Sequence, residues 1–242
     1  MGDSALIITD GGLGGLLALA TAGAARSLPA AQGRPTHGVT THGVTTAWIA
    51  LPADRATEHA ARTKSAQLAA QLHHISHCIR WEHQAPALQS ATTHENWRAA
   101  AMAVTAMLMA AGQEALRLGL SRIIWPIHLG REDDQSRLLD SSVSAIAAIT
   151  DRAAAAARLL TLDGGDAGLV IELPYIDFVD AQLADLAADL DLPLHACFLG
   201  PEGSAERARW ETLLTAYGAN PVTPRPAPHV LPRSAATAAA TR

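Results

Sequence analysis

The chain opens on a short apolar run, Ala5-Leu-Ile-Ile8, followed by Asp10-Gly-Gly-Leu-Gly-Gly15 and then Leu16-Leu-Ala-Leu-Ala20. A strand that turns through glycines straight into a helix is the opening unit of an α/β fold. Such a turn also has a chemical consequence. The first N–H groups of a helix lack partners within it, and the positive end of its dipole points outward, so the turn can hold a phosphate. Asp10, Gly11, Gly12, Leu13, Gly14 and Gly15 are therefore the candidate ligand-binding residues.

The rest of the chain repeats the alternation. Strands are expected at Thr45–Leu51, closed by Pro52, at Ile75–Trp81, at Arg122–Ile127 and at Leu169–Leu173. Helices are expected at Arg55–Leu72, Glu95–Leu118 (ended by Gly119), Arg137–Leu160, Phe178–Leu190 with Asp177 as N-cap, and Ala205–Tyr217. Leu194–Phe198 is read as a short extended segment. Strands alternating with long helices give a doubly wound, Rossmann-like parallel sheet of about five strands, with helices on both faces. Such sheets take ligands beyond the carboxyl ends of their strands, where the glycine turn would lie.

With 242 residues, 49% of them hydrophobic, the chain has enough apolar material for one large core. We expect one domain over residues 1–219. The segment 220–242, rich in proline and alanine, is expected to be a disordered tail. Net charge −5 argues against direct nucleic-acid binding, which needs clustered Lys and Arg. Two cysteines, Cys78 and Cys197, exclude a disulfide framework and a four-thiolate zinc site, and suit the cytoplasm. Asp3 and the glycines argue against a signal peptide, and no run has the length of a membrane span.

Several other features of the sequence admit plainer readings. The repeated Thr-His-Gly-Val-Thr at Thr36–Thr40 and Thr41–Thr45 reads as a local duplication in a loop. His73 and His77 have a spacing compatible with a metal pair, but solvated or core histidines are the commoner outcome. Glu132-Asp-Asp134 could hold magnesium or simply face solvent. Asp163-Gly-Gly-Asp166 reads as a turn, and Cys197 as a structural thiol. Met102, Met107 and Met109 are read as helix core. Trp125-Pro126 is either a cis bond or a strand end near the ligand cleft.

Taken in order, these pieces resemble the PP-loop ATP pyrophosphatases of the adenine nucleotide alpha hydrolase-like superfamily. Within it the chain is most similar to the 7-cyano-7-deazaguanine synthases of queuosine biosynthesis. The family's Ser-Gly-Gly-x-Asp-Ser loop corresponds to Asp10–Gly15, and its Gly-Arg-Asn to His94-Glu-Asn96. Its Glu-Thr-Pro-Leu segment corresponds to Ile171–Asp177, and the start of its zinc-binding cysteines to Leu192–Cys197. The resemblance covers about Ala5 to Gly218, and its motifs are degraded. It implies ATP as ligand and ATP-dependent conversion of a deazaguanine carboxylate to a nitrile, a carbon–nitrogen ligase reaction. Asn96, Arg131 and Asp134 become candidate substrate-binding residues, and a homodimer the assembly to test.

The departures bear on mechanism. The family's loop Asp is Gly14 here, and its two serines are Asp10 and Gly15. Asp10 would set a carboxylate beside a polyanion, a repulsion of about 4 kcal/mol at 4 Å and an effective dielectric near 20. A magnesium ion held by Asp10 would reverse that sign. Zinc is not expected, since Cys197 alone remains of the family's four thiolates. No catalytic residue is assigned. The alternative is a catalytically inactive pseudoenzyme whose scaffold serves another ligand or a protein partner.

Overall fold

The structure, a computed structural model, describes residues 4–27, 46–50, 57–75, 77–81, 93–128, 138–162 and 168–219. The duplicated Thr36–Thr45 segment, Glu132–Asp134, Asp163–Asp166 and the 220–242 tail lie outside the described residues. Five strands form one all-parallel sheet: β1 (Leu6–Thr9), β2 (Thr46–Ala50), β3 (His77–Trp81), β4 (Arg122–Ile124) and β5 (Val170–Glu172). Their order across the sheet is β3-β2-β1-β4-β5. Six α-helices accompany them among the described residues: α1 (Leu13–Ser27), α2 (His59–Leu72), α3 (Thr93–Arg117), α4 (Leu138–Thr161), α5 (Asp180–Asp189) and α6 (Ala205–Ala216). This is the doubly wound α/β architecture expected from the alternation.

The two faces of the sheet follow from the period of two along a strand. In β1 and the residue before it, Ala5 and Ile7 join one core, with Leu16, Leu17 and Leu19 of α1, Ala69 and Ala70 of α2, Leu183 of α5 and Leu214 of α6. Leu6 and Ile8 point the other way, into a core with Leu108, Ala111 and Ala115 of α3 and Ala153 and Ala156 of α4. Both faces are covered, so the central strands are apolar throughout. Leu6 pairs with Thr46 on one side and Ile123 on the other, which puts β1 at the centre. No helix among the described residues is long and apolar enough to cross a membrane.

Several local expectations are corrected. Helix α1 begins at Leu13, not Leu16, so Leu13, Gly14 and Gly15 form its first turn. The N-cap of α5 is Val179 rather than Asp177; its N–H is accepted by Gln182 Oε1 at 2.9 Å. Leu194–Ala196 is a 3-10 turn, not an extended segment. Met102 is 74% exposed and belongs to no core, whereas Met107 and Met109 pack against the α3–α4 side. The described chain has no cis peptide bond, and β4 ends before Trp125-Pro126. Gly119 behaves as expected: at φ +69° it ends α3, with the Leu120 N–H donating back to the Ala115 carbonyl at 2.8 Å.

Candidate functional site

In a parallel sheet, neighbouring strands whose connections leave in opposite directions open a crevice at their carboxyl ends. Here β1 leads to β2 on one side while β4 lies on the other. A cavity of about 430 Å³ opens at this point, lined from the strand ends by Ile8, Thr9, Ala50, Trp81 and Trp125.

The floor of the cavity is the glycine turn. Gly11 has φ +85°, a conformation that disfavours any side chain, and a Cβ there would lie 2.4 Å from the Arg62 carbonyl oxygen. Thr9 Oγ1 accepts the Gly11 N–H at 3.1 Å, and Asp10 Oδ1 accepts the Gly12 N–H at 2.9 Å. The Gly12 carbonyl accepts the Leu16 N–H at 3.1 Å, so α1 is under way from that point. Among the described residues, the N–H groups of Leu13, Gly14 and Gly15 have no acceptor. All three residues line the cavity, together with Asp10 and Gly12; Gly11 forms the turn beneath them.

The same glycines permit close packing. A Cβ on Gly14 would sit 2.4 Å from the Pro126 carbonyl oxygen, and one on Gly15 would sit 2.1 Å from Thr9 Oγ1 and 2.9 Å from its Cβ. The turn is wedged against β1 and the segment after β4. The Asp and Ser that the resemblance expects at these two positions have no room without a shift of backbone.

Asp10 is not a free carboxylate. Arg62 Nη1 donates to Asp10 Oδ2 at 2.6 Å, and Arg62 Nε donates to Glu58 Oε2 at 2.9 Å. The Arg62 side chain is 6% exposed and that of Asp10 43%. The guanidinium also lies 4.6 Å from the centre of the Phe198 ring. The repulsion expected between Asp10 and a bound polyanion is therefore offset by a fixed cation. The same pairing bears on magnesium: one Asp10 oxygen holds a backbone N–H and the other a guanidinium, so a cation there would compete with Arg62 for the carboxylate. No group of three or more potential metal ligands comes together among the described residues, and His73 and His77 fall on the end of α2 and the start of β3.

Beyond β4, His128 lines the cavity, and its Nε2 lies 2.8 Å from Asp180 Oδ1. Asp180, the first residue of α5, has a side chain only 1% exposed, and its other oxygen accepts from Arg209 of α6. Burial alone would raise the Asp180 carboxyl, but the hydrogen bonds from His128 and Arg209 outweigh it and hold it below its ordinary 3.8. Trp210 meets the His128 ring edge to face at 6.1 Å and carries the Arg209 guanidinium 5.3 Å from its ring centre.

The wall above the turn is aromatic. The whole chain has five Trp, two Tyr and two Phe, and Trp81, Trp125, Phe198 and Trp210 all line this cavity. Trp81 is held by stacking on the buried Trp48, with ring centres 5.1 Å apart. Cys197 contributes no nucleophile: burial, with the Asp10 carboxylate nearby, pushes its thiol far above the ordinary value. Of the residues suggested by the resemblance, Asn96 falls in the first turns of α3, and Arg131 and Asp134 lie outside the described residues.

Arg62, His128, Asp180, Arg209 and the aromatic residues Trp81, Phe198 and Trp210 are the parts that motif reading missed, whereas Trp125-Pro126 does lie at a strand end beside the cavity. Arg62 had a signal: with Ala66, Ala69 and Ala70 it occupies the buried stripe of α2, where a charge needs a partner. No family model matches the chain, and no curated protein matches it.

Proposed function

We propose that the cavity at the switch between β1 and β4 is a nucleotide site, with ATP as its ligand. The observation that carries this reading is the first turn of a 15-residue helix, Leu13, Gly14 and Gly15, whose amides have no acceptor among the described residues and which lines a cavity of about 430 Å³. Backbone donors and the helix dipole suit phosphate, and the aromatic wall of Trp81, Trp125, Phe198 and Trp210 suits a planar base. The sequence resemblance to the PP-loop ATP pyrophosphatases points the same way, and the chain's two cysteines suit a cytoplasmic protein.

The test is calorimetry of the purified chain with ATP, with and without magnesium, alongside thermal unfolding. Heat of binding and a raised midpoint support the reading, and neither at millimolar nucleotide overturns it. Because Asp10 is taken by Arg62, binding is expected to persist when magnesium is chelated.

A second reading concerns catalysis. The resemblance to deazaguanine synthases implies a ligase reaction, but the parent loop side chains meet Pro126 and Thr9 at the Gly14 and Gly15 positions. That crowding favours a pseudoenzyme, which keeps the nucleotide scaffold without the parent chemistry. Incubation with ATP, ammonia and a 7-carboxy-7-deazaguanine distinguishes the two: nitrile formation would restore the enzyme reading.

A further inference from the structure

The cavity contains a second polar device, built from parts of the chain remote from the glycine turn. His128 stands two residues beyond Pro126, whose carbonyl oxygen lies against Gly14. The imidazole and the Leu13–Gly15 turn line the same cavity. Asp180 accepts at both oxygens, from His128 and from Arg209. An ionised carboxylate has no proton to give, so the proton in the first contact belongs to His128 Nε2. The other ring nitrogen, Nδ1, has no partner among the described residues, and the ring lines the cavity. A buried carboxylate, an arginine holding it from behind and a tryptophan against the ring fix one face of the imidazole and leave the other for a ligand.

We propose that His128 is an anion-binding arm of this cavity, its protonated Nδ1 donating to a phosphate seated on the Leu13–Gly15 amides, with Asp180 and Arg209 as positioning residues. The inference rests on the nucleotide-site reading and adds a determinant to it. Histidine is the side chain whose charge ordinarily changes between pH 5 and 8. Protonated, the ring donates from both nitrogens, and its added charge strengthens the contact with phosphate. Neutral, Nδ1 is a lone pair facing phosphate oxygens, and the contact is lost. Among the described residues, the charged groups around it are Asp180 from α5, Arg209 and Glu206 from α6 and, also lining the cavity, Asp10 with Arg62.

Pyrophosphate is the probe, titrated by calorimetry into the wild-type chain and His128→Gln at about pH 5.5 and about pH 8, on either side of histidine's ordinary titration. The probe's own protonation is common to both proteins and cancels in the ratio of their affinities. That ratio is expected to be about ten-fold larger at the acidic pH, roughly the strength of one charge-assisted hydrogen bond. Pyrophosphate bound with the same ratio at both pH values overturns the role of His128 and leaves the nucleotide site standing. No binding by either protein at any pH overturns both. A second measurement needs no ligand: proton–nitrogen spectra of the imidazole are expected to place the neutral-form proton of His128 on Nε2. In Asp180→Asn the new amide donates to Nε2, and the proton is expected on Nδ1. A wild-type ring protonated at Nδ1 overturns the arrangement.

Discussion

Arg62 and Asp10 are joined at 2.6 Å, and this one contact ties helix α2 to the turn that opens the cavity. The sequence separation is 52 residues, so the pair is a tertiary device rather than a local one. Replacing Arg62 with Met removes the guanidinium from both Asp10 and Glu58. The expected loss of stability is about 2–3 kcal/mol, below the ~3–5 of a fully buried broken pair because Asp10 is half-exposed. Urea unfolding of R62M, compared with the double variant Asp10→Asn/R62M, measures it, and the second substitution should recover part of the loss.

Gly14 is expected to be intolerant of even one methyl group. With the Pro126 carbonyl oxygen 2.4 Å from the position of a Cβ, Gly14→Ala should cost about 1–3 kcal/mol and abolish nucleotide binding. Gly119 supplies the comparison. No atom lies within 4 Å of its Cβ position, so Gly119→Ala should cost only the ~1–2 kcal/mol of a left-handed alanine and leave binding intact. Thermal unfolding and ATP titration of the two variants separate crowding from backbone strain.

Acid should weaken the contact between the segment after β4, α5 and α6 through Asp180. Its carboxyl titrates lower in the folded chain than in the unfolded one, so the unfolded chain binds more protons as the pH falls. The stabilisation is complete above the ordinary value of 3.8 and is lost as the pH drops through it toward the folded value. The stability difference between wild type and Asp180→Asn should therefore narrow below about pH 4, read by denaturant unfolding across a pH series.

Trp81→Leu should affect stability and ligand differently. Loss of its stack on Trp48 is worth about 0.5–1.5 kcal/mol of folding free energy. Loss of a flat wall for a base is worth about 1–3 kcal/mol of ATP affinity. Pyrophosphate, which has no ring, should bind this variant as it binds the wild type. An equal loss for both ligands would show that Trp81 shapes the cavity rather than contacting a base.

The fold was legible because it rests on periodicity. Runs such as Leu6–Thr9 and Thr46–Ala50 are apolar on both faces, and the helices between them bury alanine and leucine stripes. Errors fell where a local signal was overridden by packing. Gly14 and Gly15 read as loop residues, yet β1 and Pro126 crowd them into the first turn of a helix. Asp177 has the chemistry of an N-cap, but the turn over residues 174–177 ends before α5 begins. Half of the candidate site's lining was legible as well, since the glycine turn is contiguous. The other half was not, because His128, Asp180 and Arg209 meet only after β4, α5 and α6 converge. No spacing in a single sequence encodes that meeting.

One hydrogen bond joins the two ends of the fold: Phe198 N–H donates to the Gly11 carbonyl at 2.8 Å. The residues that close the cavity beside it, Leu199 and Trp210, follow in the same late part of the chain. On a ribosome, the glycine turn would emerge with its surroundings missing. The pocket is thus finished only when translation has passed Trp210, and a fragment truncated before Phe198 would keep a sheet-forming sequence without a completed cavity.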